Sequence, residues 1–290
     1  MLDGSEVWCQ LWSEPDAGSD VASLETRAER DGDGWTLHGQ KVWTTGAQHC
    51  RWGLAIARTD PDVPKHRGIT CFVVDMLDPG VTVRPLRQMT GGAHFNEVFL
   101  DGARVPDEHV VGDVGGGWHV AMATLANERY SVGGLLTTGF SAEPVLALAG
   151  EWAGGRPARD PVLRQELARI YTAWRLLALT NARSLSALAR GSVPGPEGST
   201  IKLAWARLST ALADVAVRVL GPAAGIVGED APEPGHWTTA LLYAPANHIA
   251  GGTDEIQKTI IGERVLGLPR EPAVDRDVPF RELKAASARR

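Results

Sequence analysis

The chain has 290 residues, which at roughly 150 residues per domain is enough for two ordinary domains. Its residues are 43% hydrophobic and 22% charged, values typical of a folded globular protein, so a chain that is mainly disordered is excluded. A formal net charge of −6, without a long basic run, argues against a nucleic-acid-binding protein.

The first half of the chain alternates short runs rich in β-branched and aromatic residues with clusters of Gly, Pro and Asp that reverse a chain. The predicted strands are Gly34–Gly39, Trp52–Arg58, Gly68–Met76, Gly80–Leu86 and Phe95–Pro106. Short strands at this spacing indicate an antiparallel barrel or sandwich. We therefore predict an all-β domain over residues 1–114.

After Gly115–Gly117 the pattern changes to apolar residues at intervals of three and four, which is typical of helices packed on one face. The predicted helices are Trp118–Leu136, Ala142–Glu151, Val162–Arg190, Thr200–Leu220 and a last one that begins near Thr253. Gly221–Trp237 is rich in Gly, Pro and acidic residues and is predicted to be irregular. We expect an antiparallel helical bundle over residues 115–275 and a C-terminal tail over residues 276–290.

The three cysteines form no CxxC pair and no even-numbered set for disulfides, which indicates a reducing compartment and no structural zinc site. No window approaches about 18 uncharged apolar residues, and the first residues, MLDGSEVWCQLW, lack the basic start and long apolar run of a signal peptide. We therefore expect a cytoplasmic protein with no metal and no membrane partner.

Two short segments have the composition of an anion-binding site. Gly18 and Ser19 lie in the tight loop SEPDAGSD, where backbone N–H groups and a hydroxyl suit a phosphate-bearing ligand. Gly251, Gly252 and Thr253 open the last helix with further N–H groups, and Thr253 can cap that helix. From these residues alone, an ordinary turn and an ordinary capped helix are the more common explanations.

Six segments, in order along the chain, resemble the acyl-CoA dehydrogenase family. They are CQLWSEPDAGSD (Cys9–Asp20), GQKVWTTGA (Gly39–Ala47), GITCFVVD (Gly68–Asp75), RQMTGGAHFNEVFLDGARVP (Arg87–Pro106), NERYSVGG (Asn127–Gly134) and AGGTDEIQKTIIGERVLGLPRE (Ala250–Glu271). The resemblance is to bacterial members that act on branched, bulky or steroid side-chain thioesters. It implies an α+β multidomain fold, in which a middle antiparallel β-barrel domain is followed by a C-terminal four-helix bundle. The family's N-terminal helical domain has no counterpart in the chain, so we expect a chain cut just before the flavin loop that retains flavin weakly.

The resemblance implies FAD as the cofactor. It assigns FAD contacts to Gln10, Ser13, Gly18, Ser19, Trp43, Thr45, Gly252, Thr253 and Glu255. Trp43 would pack against the isoalloxazine ring, and Thr45 would reach its N5 edge, where a hydrogen-bond donor stabilises charge on the reduced flavin. Without the resemblance, Trp43 would be interpreted as a core residue, because most Trp side chains on strands are buried. Ser19 would also touch the CoA substrate, whereas Glu14 and Asp20 would hold the loop in shape.

The family reaction removes a proton from Cα and a hydride from Cβ of an acyl-CoA, which requires a carboxylate base and a polarised thioester carbonyl. In many members the base is a Glu directly before the Gly-Thr of the C-terminal turn, and here that position is Gly251. Other members place the base just before an Arg near the start of the C-terminal domain, which corresponds to Glu128 and Arg129. The resemblance therefore implies Glu128 as the base, Arg129 as an orienting and substrate-binding partner, and the Gly251 amide as a donor to the thioester. A helical Glu is otherwise most often a surface residue.

The implied function is FAD-dependent dehydrogenation of an acyl-CoA to a trans-2-enoyl-CoA in fatty acid β-oxidation, with electrons passed to an electron-transfer flavoprotein. Acyl-CoA oxidases and flavin monooxygenases share the fold, and a non-catalytic or truncated subunit of a hetero-oligomeric enzyme is an alternative. The stretch Gly154–Gln165 lacks the Arg-x-x-Phe-Gly of family dimers, so Arg156 or Arg159 would substitute, and Arg218 stands where many members have Gln. These departures leave both a homo-oligomer and a hetero-oligomer open.

Overall fold

The computed structural model describes residues 4, 6–132, 141–192, 195–226, 228–273 and 275–287, with the side chains of residues 128–132, 286 and 287 outside the described part. The chain divides into two compact units. One contains residues 1–124 and 271–290, and the other contains residues 125–270.

The first unit is built on one eight-stranded sheet. Its strands are β1 (Trp8–Leu11), β2 (Arg27–Asp31), β3 (Gly34–Thr45), β4 (Trp52–Arg58), β5 (Ile69–Asp75), β6 (Val81–Leu86), β7 (Phe95–Pro106) and β8 (Val110–Val111). Their spatial order is β6-β7-β3-β2-β4-β5-β8, with β1 paired to β4. The pairs are antiparallel except for β1 with β4 and a single residue pair between β2 and β4. Because β1 pairs with β4, an inner strand, the loop that follows β1 begins beside the middle of the sheet.

Alternate side chains of the central strands form the core of this unit. Leu37, Phe72 and Val98 are fully buried, and Trp35 packs edge-on against Phe72 with ring centroids 5.6 Å apart. Burial at every second residue is what a strand with one inward face requires. The apolar alternation that predicted the strands is therefore the pattern that builds the core.

The second unit is helical. The α-helices among the described residues are α1 (Gly117–Val132), α2 (Glu143–Glu151), α3 (Pro161–Ala189), α4 (Gly198–Leu220), α5 (His236–Ile249), α6 (Asp254–Ile260) and α7 (Phe280–Ser287). The boundary between the units falls inside α1, and α7 belongs to the first unit. Apolar residues of α2, α3 and α4 make one core, with Leu148, Leu167 and Leu212 among its buried members. Asp160 caps α3 by accepting from the N–H of Val162 at 2.8 Å.

The predicted order of a β domain followed by a helical domain is confirmed. Two predictions about local structure need correction. The residues from Gly221 contain two short 3₁₀ turns, but α5 already begins at His236, and the sequence pattern missed this helix because Pro245 lies inside it. The residues predicted as a tail contain α7.

The segment around α7 packs onto the loops of the β unit. The guanidinium of Arg58 lies 3.7 Å from the ring centroid of Phe280. Lys65 donates to Asp275 at 2.9 Å and to Asp20 at 2.8 Å, so one ammonium joins this segment to the loop that follows β1. Asp20 therefore has the structural role expected from the sequence.

In the part of the chain that the structure describes, no helix combines the length and the apolar character that crossing a bilayer requires. Nor do the described side chains include a group of three or more His, Cys, Asp or Glu residues arranged to hold a metal ion.

Candidate active site

A buried ion pair holds the loop that follows β1. Lys41, 0% exposed, donates from Nζ to Glu14 Oε1 at 2.9 Å and to the carbonyl oxygens of Trp12 at 3.2 Å and Ile56 at 2.8 Å. Burial lowers the pKa of Lys41, and the adjacent carboxylate of Glu14 opposes that change. Since Trp12 and Glu14 flank Ser13, this one ammonium fixes the backbone on both sides of a predicted flavin contact.

Glu14 also fixes the rest of the loop. Its carboxylate accepts from the backbone N–H of Glu25 at 2.6 Å and of Thr26 at 2.9 Å. The backbone of Glu14 exchanges two hydrogen bonds of 3.1 Å with Ala17, which closes the turn between them. The structural role expected for Glu14 is therefore confirmed, and the loop has a rigid base from which Gly18 and Ser19 project.

Most of the predicted flavin contacts on β1 and on the loop that follows it are open to solvent. Gln10, Gly18 and Ser19 are exposed, and Ser13 is partly buried. Among the described residues other than Gly18 and its two chain neighbours, no atom lies within 4 Å of the point where a Cβ on Gly18 would stand. The N–H of Val42 donates to the carbonyl oxygen of Ser13 at 2.9 Å, so the loop runs directly beside β3. Open backbone of this kind can receive a ligand.

Trp43 lies at an irregularity in β3, where the register with β7 shifts between Lys41 and Thr44. Its φ is +61°, in a left-handed region that bulky side chains rarely adopt and that costs about 1–3 kcal/mol. Its side chain is 62% exposed, although large aromatic side chains are usually buried, and its ring meets Phe95 edge-on at 6.1 Å. Strain and exposure together are unusual for a structural Trp and are typical of a functional one.

A buried amide holds the end of β3 beyond Trp43. Asn96, fully buried, donates from Nδ2 to the carbonyl oxygen of Thr44 at 3.0 Å and to Gln48 Oε1 at 2.6 Å. Gly46 follows in the left-handed region with φ +65°, a conformation that favours glycine. The predicted contact Thr45 is exposed between these two fixed points.

In the helical unit, the turn between α5 and α6 contains two successive left-handed glycines. The φ angles of Gly251 and Gly252 are +64° and +89°. Thr253 caps α6, as predicted, by accepting from the N–H of Ile256 at 3.3 Å. Glu255 lies exposed in the first turn of that helix. These residues form one contiguous group at the start of α6.

Polar side chains surround this turn. Gln257 donates to the carbonyl oxygens of Gly251 at 2.8 Å and Gly252 at 3.1 Å, and Lys202 donates to that of Gly252 at 2.8 Å. A second connection spans the turn from α5 to α6, where His248 Nδ1 lies 2.9 Å from Asp254 Oδ2. The turn is therefore tied at its carbonyls and at both ends.

Two family profiles match the chain. The profile described as acyl-CoA dehydrogenase, middle domain, matches residues 9–103, and the one described as acyl-CoA dehydrogenase, C-terminal domain, matches residues 115–266. The chain belongs to the acyl-CoA dehydrogenase family. The resemblance inferred from the six segments is thereby confirmed.

Relatives of this acyl-CoA dehydrogenase family member include acyl-CoA dehydrogenase FadE34 of Mycobacterium tuberculosis, 45% identical over 269 residues that cover 93% of the chain and 36% of FadE34. The chain thus spans little more than a third of that relative. A solved structure described as "Tcur3481-Tcur3483 steroid ACAD" matches with a TM-score of 0.84 at 28% identity. The match covers 93% of the present chain and 70% of the solved one. A chain of the ChsE4-ChsE5 complex from Mycobacterium tuberculosis matches with a TM-score of 0.77 at 29% identity. The match covers 92% of the present chain and 70% of the solved one.

The predicted site residues of this family member fall into two groups by unit. Those of the β unit lie on β1, on the loop after β1 and on β3, where Trp43 is, and those of the helical unit lie at the turn before α6 and in the first turn of α6. Glu128 and Arg129 lie in the last part of α1, and their side chains are outside the described residues.

Four buried polar residues at these sites were missed from the sequence, namely Lys41, Asn96, Lys202 and Gln257. One signal for Lys41 was present, because Lys41 lies an even number of residues from the buried Trp35 and Leu37 along β3 and so belongs to the same face of the strand. Amide and ammonium side chains are usually exposed, so residue type alone pointed the other way.

Proposed function

We propose that this chain forms the flavin- and thioester-binding part of an FAD-dependent acyl-CoA dehydrogenase. The enzyme oxidises an acyl-CoA to a trans-2-enoyl-CoA and passes the electrons to an electron-transfer flavoprotein. The observation that carries the proposal is Trp43, an exposed indole held at a strained backbone position beside the open loop at Gly18. Members of this family bind FAD, so the exposed Trp43 ring can pack against the flavin, where a flat apolar surface excludes water from one side of the flavin.

The residues of the β unit fit an FAD. Trp43 offers an exposed ring, and Thr45 is exposed and offers a hydroxyl. Gly18 and Ser19 offer open backbone on a loop that the Lys41–Glu14 ion pair holds in place. The further proposed contacts are Gln10 and Ser13 in this unit, and Gly252, Thr253 and Glu255 in the helical unit. When bound, FAD supplies the hydride acceptor.

At the thioester, the N–H of Gly251 donates to the carbonyl oxygen of the substrate. That donation stabilises the negative charge that develops on the oxygen as the α-proton leaves. Glu128 accepts the proton, and Arg129 orients the acyl-CoA. These roles rest on the family resemblance of NERY and AGGT.

The experiment that tests the proposal is an absorbance spectrum of the purified chain under anaerobic conditions, before and after addition of acyl-CoA thioesters that include steroid side-chain thioesters. Loss of the oxidised flavin band with one class of thioester, followed by slow recovery in air, is the expected result. Fast recovery in air would assign an acyl-CoA oxidase instead. A chain that binds no added FAD, alone or with a partner, would refute the proposal.

A second proposal concerns assembly. We propose that the chain works with a second, related subunit, because a solved relative is a complex of two named components and Gly251 replaces the carboxylate found in many members. Arg156 and Arg159 are the candidates for reaching a neighbouring flavin, and Arg218 is a further departure from the family pattern. Co-expression with a paralogous chain is expected to raise the FAD content per chain, and equal FAD content with and without the paralogue would contradict a hetero-oligomer. A cytoplasmic location and a place in fatty acid β-oxidation stay predictions.

A further inference from the structure

Two buried side chains hold the turn formed by residues 250–253 from one side. Gln257 donates from Nε2 to the carbonyl oxygens of Gly251 at 2.8 Å and Gly252 at 3.1 Å. Lys202, on α4, donates from Nζ to the carbonyl oxygen of Gly252 at 2.8 Å. Both side chains are 0% exposed. Burying an ammonium and an amide is unfavourable unless they are hydrogen-bonded. The presence of both at one turn therefore indicates that holding this turn has a role.

These contacts fix the orientation of the Gln257 amide. If its oxygen and nitrogen were exchanged, Oε1 would face two carbonyl oxygens, and three acceptors would repel one another. Nε2 therefore faces the turn. Burial lowers the pKa of Lys202, and the carboxylates of Asp254 and Glu255 oppose that change.

The direction of the carbonyls decides the direction of the amides. In a planar trans peptide unit, the C=O and the N–H point in opposite directions. Because the carbonyls of Gly251 and Gly252 point toward Gln257 and Lys202, the N–H groups of Gly252 and Thr253 point away from them. The φ angles of +64° and +89° make this arrangement accessible to glycine at low cost. A Cβ on Gly252 would lie 2.6 Å from the Gln257 amide nitrogen, so a side chain there would disrupt the contact.

We propose that Lys202 and Gln257 are positioning residues that hold the 250–253 turn so that the N–H groups of Gly252 and Thr253 face the bound thioester and flavin. The inference rests on the proposed function, since it takes the turn to contact those ligands. Neither side chain touches the reacting atoms. Both act through the backbone of the two glycines.

The first test needs no flavin. Lys202→Met and Gln257→Met remove the donors while keeping an unbranched side chain, and Gln257→Asn keeps the amide but shortens its reach by one methylene group. Hydrogen exchange followed by mass spectrometry is expected to be faster in the peptide that covers residues 250–256 of each variant. Arg207→Met, an exposed substitution on the same helix as Lys202, is the matched control and is expected to leave that peptide unchanged.

The second test separates positioning from simple structural support. In the flavin-loaded protein, each variant is expected to slow flavin reduction by acyl-CoA about tenfold or more while the Kd for acyl-CoA changes less than about threefold, because misplaced donors weaken charge stabilisation more than binding. Unchanged exchange in residues 250–256, together with reduction within about twofold of the parent rate, would overturn the inference. A parent chain that no thioester reduces would instead refute the proposed function, and the exchange result would still decide whether the two side chains hold the turn.

Discussion

Replacing Lys41 with Met tests whether the buried ion pair holds the flavin loop. The substitution removes three donor contacts, to the Trp12 carbonyl, the Glu14 carboxylate and the Ile56 carbonyl. It leaves the carboxylate of Glu14, only 7% exposed, without its counter-charge. Removing one partner of a buried ion pair costs about 3–5 kcal/mol, because the remaining charge stays desolvated.

The size of the expected effect follows from that cost. In a protein of this size, 1 kcal/mol shifts the unfolding midpoint by about 2–4 °C, so Lys41→Met is expected to lower the midpoint of the β unit by about 6–20 °C. Thermal unfolding followed by Trp fluorescence measures this change. The FAD affinity is expected to fall as well, since Ser13 and Trp43 lose the ammonium that holds the backbone around both.

Two further variants isolate the cause. The double substitution Lys41→Met with Glu14→Gln neutralises the orphaned charge, so it is expected to recover most of the lost stability. Arg104→Met breaks an exposed pair in the same unit, with Asp31 at 3.5 Å, and is expected to cost only about 0–1 kcal/mol. A Lys41→Met midpoint within about 2 °C of that of Arg104→Met, or a double variant no more stable than the single one, would refute the reasoning.

Three other substitutions or measurements give separate outcomes. Trp43→Gly relieves the strained φ of +61° and is expected to leave the unfolding midpoint equal or higher while weakening FAD binding, measured by titration; tight FAD binding would remove the proposed role of the indole. Glu128→Gln is expected to abolish flavin reduction by acyl-CoA while FAD stays bound, and fast reduction in a stopped-flow trace would exclude Glu128 as the base. Burial raises the pKa of Cys71 from 9.0 to about 12, so the folded chain keeps the thiol that the unfolded chain ionises. That thiol's contribution to stability is expected to be complete below about pH 9 and lost as pH rises toward 12, and Cys71→Ala should flatten the measured decline in the free energy of unfolding over that range.

The strands were predictable where alternation and turn residues agreed. Trp52–Arg58 and Phe95–Pro106 were predicted at their observed bounds. The strand predicted to end at Gly39 continues to Thr45, because Gly39 serves a close approach instead of a turn. A Cβ there would lie 2.3 Å from Thr26 Oγ1. Glycine occurs both in turns and where another segment approaches the backbone closely, and a single sequence does not show which of the two applies.

The site was predictable only in its outline. Resemblance marked Trp43 as a flavin contact, but nothing in the residue pattern indicated its left-handed backbone or its exposure, since both depend on the register shift against β7. The terminal helix α7 was missed because its sequence is mostly charged and small. Phe280, buried under the Arg58 guanidinium, is what anchors it, and that contact joins residues far apart in the chain.

Buried charge and unusual backbone geometry occur together in both units. Lys41 lies two residues from the strained Trp43, and Lys202 binds the carbonyl of Gly252, whose φ is +89°. Local sequence preference would not maintain the left-handed backbone at Trp43, and an ordinary protein core would not retain a buried ammonium without need. Proteins depart from local backbone preference and from the exposure of charged side chains mainly at functional sites. The coincidence at two separate places therefore favours sites at which backbone groups are held for a ligand over accidental irregularities of the fold.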